Sequence, residues 1–260
     1  SIRRQRQMCI RDRLYFLILL ACGFELVEMK MDIRTMHPKF LLDEMEKDMK
    51  AFQGILTQKE REDKRKLCLE KWFRDLENFL EVFVPFYLVK DEFKYGIKSE
   101  DYIESLRVKS GEIVQKIKKD NEKMKPTLGY WIGKIIGNFP KIKDDLEKIR
   151  DWRNAISHGR GEISFVGEEF EKIYSTVKKV FEEFNEVNFH LLKIKRIVKD
   201  CNLRYFIEAQ ELNAGRRKWY ITFDDSDIYD EIDPTFLYYV VSKTNPVARN
   251  PFMWPAVKVL

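Results

Sequence analysis

Apolar residues recur at helical spacing over most of the chain, and the pattern predicts a series of helices. One runs from Pro38 through "KFLLDEMEKDMKAF", with the proline at a helix start. A second opens at "TQKE", where Thr57 and Glu60 have capping-box spacing, and is expected to run until Pro85. Inside it Leu69, Trp72, Phe73, Leu76, Phe79, Leu80 and Phe83 form one wide stripe facing a core. A third covers "SEDYIESLRVKSGEIVQKIKKD" with Ser99 as its cap. A shorter one, "TLGYWIGKIIGNF", lies between Pro126 and Pro140, and a longer one starts at Pro140 and stops at Gly159. After "GRGEISFVG" the segment "EEFEKIYSTVKKVFEEFNEVNFHLLKIKRIV" reads as a further helix reaching about residue 198.

From about residue 201 the period changes. "LRYFIEAQ", "RKWYITF" and "TFLYYVVS" are short and β-rich, separated by "NAG" and the acid-rich "DDSDIYDEIDP". The acidic stretch lacks the glycine and terminal glutamate of an EF-hand loop and reads as a solvated turn. The expected fold class is therefore mainly α: an antiparallel helical bundle over 38–198 with a small β-rich C-terminal appendage over 201–260.

Composition changes this picture at the N-terminus. The chain has 260 residues and a net charge of +5, which by itself would suggest a nucleic-acid partner. However, "RRQRQMCIRD", Arg3 to Asp12, resembles the in-frame translation of a transposon-based sequencing adapter. Residues 1–13 carry five arginines against one aspartate, a net +4, so the remainder is close to neutral at +1. Global basicity is then no argument for RNA or DNA. The run "LYFLILLACGFELV" behind it could be misread as a lipoprotein signal ending at Cys22, but it is too short to span a bilayer. Residues 1–28 are expected to be a non-native leader, with the native start at Met29, Met31 or Met36. Setting aside Cys9 and Cys22, Cys68 and Cys201 are far apart, and no CxxC or Cys/His cluster exists. Neither a disulfide framework nor a metal or other cofactor is expected, and the expected compartment is the reducing cytoplasm.

The chemistry concentrates in "KIRDWRNAISHGRGE", residues 148–162. Along its helix Ile142, Leu146, Ile149 and Ile156 form one apolar row, and the missing member is Arg153. A guanidinium on a core-facing row must reach a partner or open onto a solvent-lined groove, because an unpaired buried charge is very costly. The neighbouring row is Glu147, Asp151, Asn154 and His158, with Gly159 suited to ending the helix. A histidine in the last turn faces the negative end of the helix dipole, which favours its charged form.

The string "RNAISHG" resembles the signature of the HEPN superfamily (higher eukaryote and prokaryote nucleotide-binding domains), an arginine followed by a polar residue and, after four to six positions, a histidine late in a helical bundle. The resemblance covers roughly residues 38–198 and implies metal-independent RNA cleavage, often across a homodimer that brings two motifs together. It also implies a place in toxin–antitoxin or antiviral defence systems, with a cognate antitoxin or defence protein as a further partner. Internal RNA cleavage requires a proton to leave the ribose 2′-hydroxyl, charge to build on phosphorus and a proton to reach the departing oxygen. His158 titrates near neutrality and can move those protons. Arg153 offers a permanently charged fork to phosphate oxygens, and Asn154 can orient the histidine or bond the phosphate. The alternative is a non-catalytic nucleotide-binding or protein-interaction module, in which Arg153 pairs with an acid of a neighbouring helix and His158 only caps its own.

Elsewhere, Arg216, Arg217, Lys218 and Trp219, followed by Tyr220, could neutralise and stack on RNA, although the alternation of an edge strand gives the same residues. His37 is expected in a loop. His190 is expected to be a satisfied histidine on a helix face.

Overall fold

A computed structural model of the chain describes residues 33–53, 57–90, 126–158, 167–202, 204–224, 228–242 and 246–258. The expected leader over 1–28, the helix around 99–120 and the segment after His158 lie outside the described residues. The described residues divide into a helical unit, within 33–84 and 126–188, and a sheet unit that contains residues 85–90 and those from Phe189 onward.

The helical unit holds α1 (Pro38–Lys50), most of α2 (Gln58–Lys90), α3 (Leu128–Ile135), α4 (Lys143–His158) and α5 (Gly167–Asn185). His37, not a plain loop residue, is buried at the start of α1, and its Nδ1 accepts the Lys39 amide at 3.2 Å. The capping box forms as expected. Thr57 donates its amide to Glu60 at 2.8 Å, and the Glu60 amide returns to the Thr57 hydroxyl at 3.3 Å. The Thr57 hydroxyl also donates to the Glu60 carboxylate at 2.7 Å, and that bond, with the one from the Thr57 amide, holds the carboxyl below its ordinary range. All seven residues of the α2 stripe are buried. Phe79 and Phe83 stack at 4.8 Å between ring centroids, and Phe184 of α5 lies against both, at 5.6 and 5.4 Å. Asp48 fastens α1 to α2, accepting from the Trp72 indole at 2.9 Å and pairing with Lys71 at 2.9 Å.

α2 does not stop at Pro85 but continues to Lys90. The proline removes one ladder bond, at a cost of about 3 kcal/mol in an isolated helix. Burial of Val82, Phe83, Val84 and Phe86 around it offsets that cost, since a buried side chain of this kind contributes roughly 1.5–3 kcal/mol.

The sheet unit corrects the expected fold class. It is not a small appendage but a six-stranded mixed sheet in the order β5-β3-β2-β1-β4-β6, so the protein is mixed α and β. The strands are β1 (His190–Lys199), β2 (Tyr205–Glu211), β3 (Lys218–Thr222), β4 (Phe236–Val241), β5 (Val247–Arg249) and β6 (Phe252–Lys258). β1 occupies the stretch expected as the end of a helix. The helix α5 stops at Asn185, and Phe189, His190, Leu191 and Leu192 are all buried, so the strand starts with both faces covered and shows no alternation. A continuous apolar run of this kind fits a buried strand as well as a helix. β6 is an edge strand, which tolerates Pro255, opposite Tyr238 where the register shifts. The acid-rich segment is more than a solvated turn. It carries the one-turn α6 (Ile228–Glu231), whose Ile228 and Tyr229 are buried, and the Tyr229 hydroxyl donates to the Tyr205 carbonyl at 2.5 Å. Among the described residues, no helix is long and apolar enough to cross a membrane.

Candidate active site and candidate RNA-binding strand

The first turn of α4 carries Asp144 and Asp145, acids placed where the positive end of the helix dipole favours them. Lys179 of α5 reaches Asp145 at 2.6 Å, and this contact fixes the start of the helix against its neighbour. Ile142, Leu146 and Ile149 are fully buried, so the apolar row holds as expected through Ile149. One turn later it leaves the core: Arg153 is half-buried, and Ile156 is only partly covered.

The position that broke the apolar pattern therefore lies where the helix emerges from the core, and the charge of Arg153 is not deeply buried. Arg153 places Nη2 3.6 Å from the carboxylate of Glu77 on α2, with the two side chains 28% and 23% exposed. At that distance the contact is an ion pair and not a hydrogen bond. Solvent screening leaves such a pair weak, and most of the guanidinium fork is free of it. Arg150 turns to Asp151 instead, at 3.3 Å. Asn154 is exposed, with no side-chain partner among the described residues. His158 is the last helical residue, so α4 carries Arg153, Asn154 and His158 on adjacent turns of one helix end. Glu77 was missed as a named neighbour. Its signal was an acid bordering the α2 stripe, between Phe73 and Leu80.

On the sheet, the strand expected to bind RNA splits by parity. Arg216, Arg217 and Lys218 are exposed, Arg216 in a left-handed backbone conformation (φ 65°) within the turn that precedes β3. Trp219, expected to stack on a base, is fully buried and donates its indole N–H to Glu211 at 2.9 Å. Successive strand residues face opposite ways, so the ring offered to solvent is Tyr220, 40% exposed. His190 is satisfied as expected, but within a strand: its Nδ1 lies 2.8 Å from the other oxygen of the buried Glu211, and its ring is 4.7 Å from that of Trp219.

No known protein family, characterised protein or solved structure matches the chain.

Proposed function

We propose that the chain is a metal-independent endoribonuclease of HEPN type, a cytoplasmic homodimer. Its helix end at Arg153, Asn154 and His158 cleaves RNA. The observation that supports this reading is the placing of Arg153: on the core-facing row of α4, yet emerging from the core and held only loosely by Glu77. His158 takes the proton of the ribose 2′-hydroxyl, and that oxygen attacks phosphorus. The new P–O2′ bond forms as the P–O5′ bond breaks, leaving a cyclic phosphate and a 5′-hydroxyl once a proton reaches the departing oxygen. Arg153 binds the non-bridging oxygens, whose charge grows as the reaction proceeds. Asn154 donates to the phosphate or orients the imidazole. The role of toxin or antiviral effector, with a cognate antitoxin or defence protein as partner, rests on the motif resemblance alone.

The ion pair with Glu77 favours a second reading, in which Arg153 is structural and the chain is a non-catalytic nucleotide-binding or interaction module. Three variants separate the two readings, assayed on single-stranded RNA with chelator present. Arg153→Ala and His158→Ala are each expected to lower cleavage by about a hundredfold or more. Glu77→Gln is expected to preserve it. If the parent protein cleaves nothing, or Arg153→Ala and His158→Ala both cleave like the parent, the module reading stands. If Glu77→Gln loses activity in step with Arg153→Ala, Arg153 acts through its ion pair and not on the phosphate.

A further inference from the structure

We infer that the open face of the β1–β2–β3–β5 sheet seats single-stranded RNA, with Tyr220 as its stacking platform. The inference takes RNA as the partner but does not rest on the cleavage reading, because it uses only the geometry of the sheet.

The register sets the face. Tyr220 lies opposite Glu208 on β2 and Val247 on β5, and Lys218 lies opposite Gln210. Tyr220 and Val247 are 40% and 58% exposed, so two large apolar side chains stand side by side on an open sheet surface. Phe206, half-buried, extends the strip, its ring 6.4 Å from that of Tyr220. Ile207, Ala209, Trp219 and Ile221 alternate with these residues and fill the covered face. The exposed aromatic is therefore not needed by the core.

Charge around the strip is one-sided. Its central acid, Glu208, is taken by Arg196, which holds both carboxylate oxygens at 2.6 and 3.0 Å. Asp224 is likewise taken by Arg249 at 2.8 Å and by Asn250 at 2.7 Å. Lys195, Arg216 and Lys218 make no ion pair within 4 Å among the described residues, and they line, with Gln210, Tyr220 and the Arg196-bound Glu208, a hollow of about 170 Å³. Glu208 acts on Lys218 only at longer range. That is below the roughly 300 Å³ at which pockets for whole small molecules begin, and suits one ring. A flat aromatic at strand centre with free cations along its edge is the arrangement that stacks a base and follows a phosphate backbone. A duplex keeps its bases from such a ring. Gln210, between the cationic positions and not bonded elsewhere among the described residues, supplies a donor and an acceptor for a ribose 2′-hydroxyl, which selects RNA over DNA.

The test is fluorescence anisotropy of a labelled single-stranded 12-mer RNA against the His158→Ala protein, so that the strand stays intact. The expected result is binding that Tyr220→Ala weakens roughly tenfold to a hundredfold. Tyr220→Phe, which keeps the ring, should bind as the parent, guarding against a mere folding effect. The double variant Lys195→Glu/Lys218→Glu should weaken binding and make the log–log salt slope shallower by about 1.4, two phosphate contacts' worth. Tyr220→Ala and the double variant both binding like the parent would overturn the inference. So would equal affinity for the duplex or for a DNA strand of the same sequence, or equal displacement by polyglutamate. Intact binding without cleavage in the parent protein would remove only the helix-end reading.

Discussion

Single side chains in the sheet unit carry consequences out of proportion to their size. Glu211 is 1% exposed and takes both the His190 ring nitrogen and the Trp219 indole. Truncating it leaves two buried polar groups without partners, each costing roughly 1–3 kcal/mol. Glu211→Ala is therefore expected to destabilise the protein by roughly 3 kcal/mol in urea unfolding, and Glu211→Gln, which keeps an acceptor, by less. Asp224 is the exposed counterpart. Hydrogen bonds from Arg249 and Asn250 hold its carboxyl below the ordinary range. A carboxyl lowered in the folded state adds stability above its unfolded pKa of about 4, and that stability is lost as pH falls through the folded value. Asp224→Asn should accordingly flatten the acid limb of the urea midpoint measured against pH. Cys68 offers no comparable reactivity at neutral pH, since burial pushes its thiol up to about 11.

At the scale of elements, what the sequence disclosed depended on whether local pattern and tertiary burial agreed. The α2 start was legible because its signal is chemical and short-range: Thr57 and Glu60 satisfy each other's amides. Thr57→Ala is expected to cost about 1 kcal/mol, read as a lowered thermal midpoint. The α2 and α4 stripes were legible because one face of each is buried at helical spacing. β1 was not, for the opposite reason. Covered on both faces at its start and shifted in register between Ile194 and Arg196, it never displays period two. The Pro85 boundary failed because a local rule lost to packing. At the candidate site the chain disclosed the odd residue, Arg153, but not its partner, since Glu77 lies 76 positions earlier on another helix. Trp219 was misassigned through composition. Parity within "RKWYITF" puts Trp219 and Ile221 inside and Tyr220 outside, and alternation alone would have chosen the tyrosine.

For the whole molecule, the proposed chemistry sets a condition on assembly. Cleavage needs one proton taken from the 2′-hydroxyl and one given to the 5′-oxygen, while each helix end supplies a single histidine. Two chains facing each other across one strand provide an imidazole as base and an imidazolium as acid. One imidazole must be neutral and the other charged, so the rate against pH should be bell-shaped. A lone helix end using His158 only as base would give a single rise that levels off. Concentration provides the independent arm. Below the dimer dissociation constant, activity per chain should fall in proportion to dilution, and excess His158→Ala protein should then poison the parent by forming mixed pairs with one histidine each. A flat specific activity across dilution, with no poisoning by that variant, would assign the whole reaction to one chain and remove the need for a second motif.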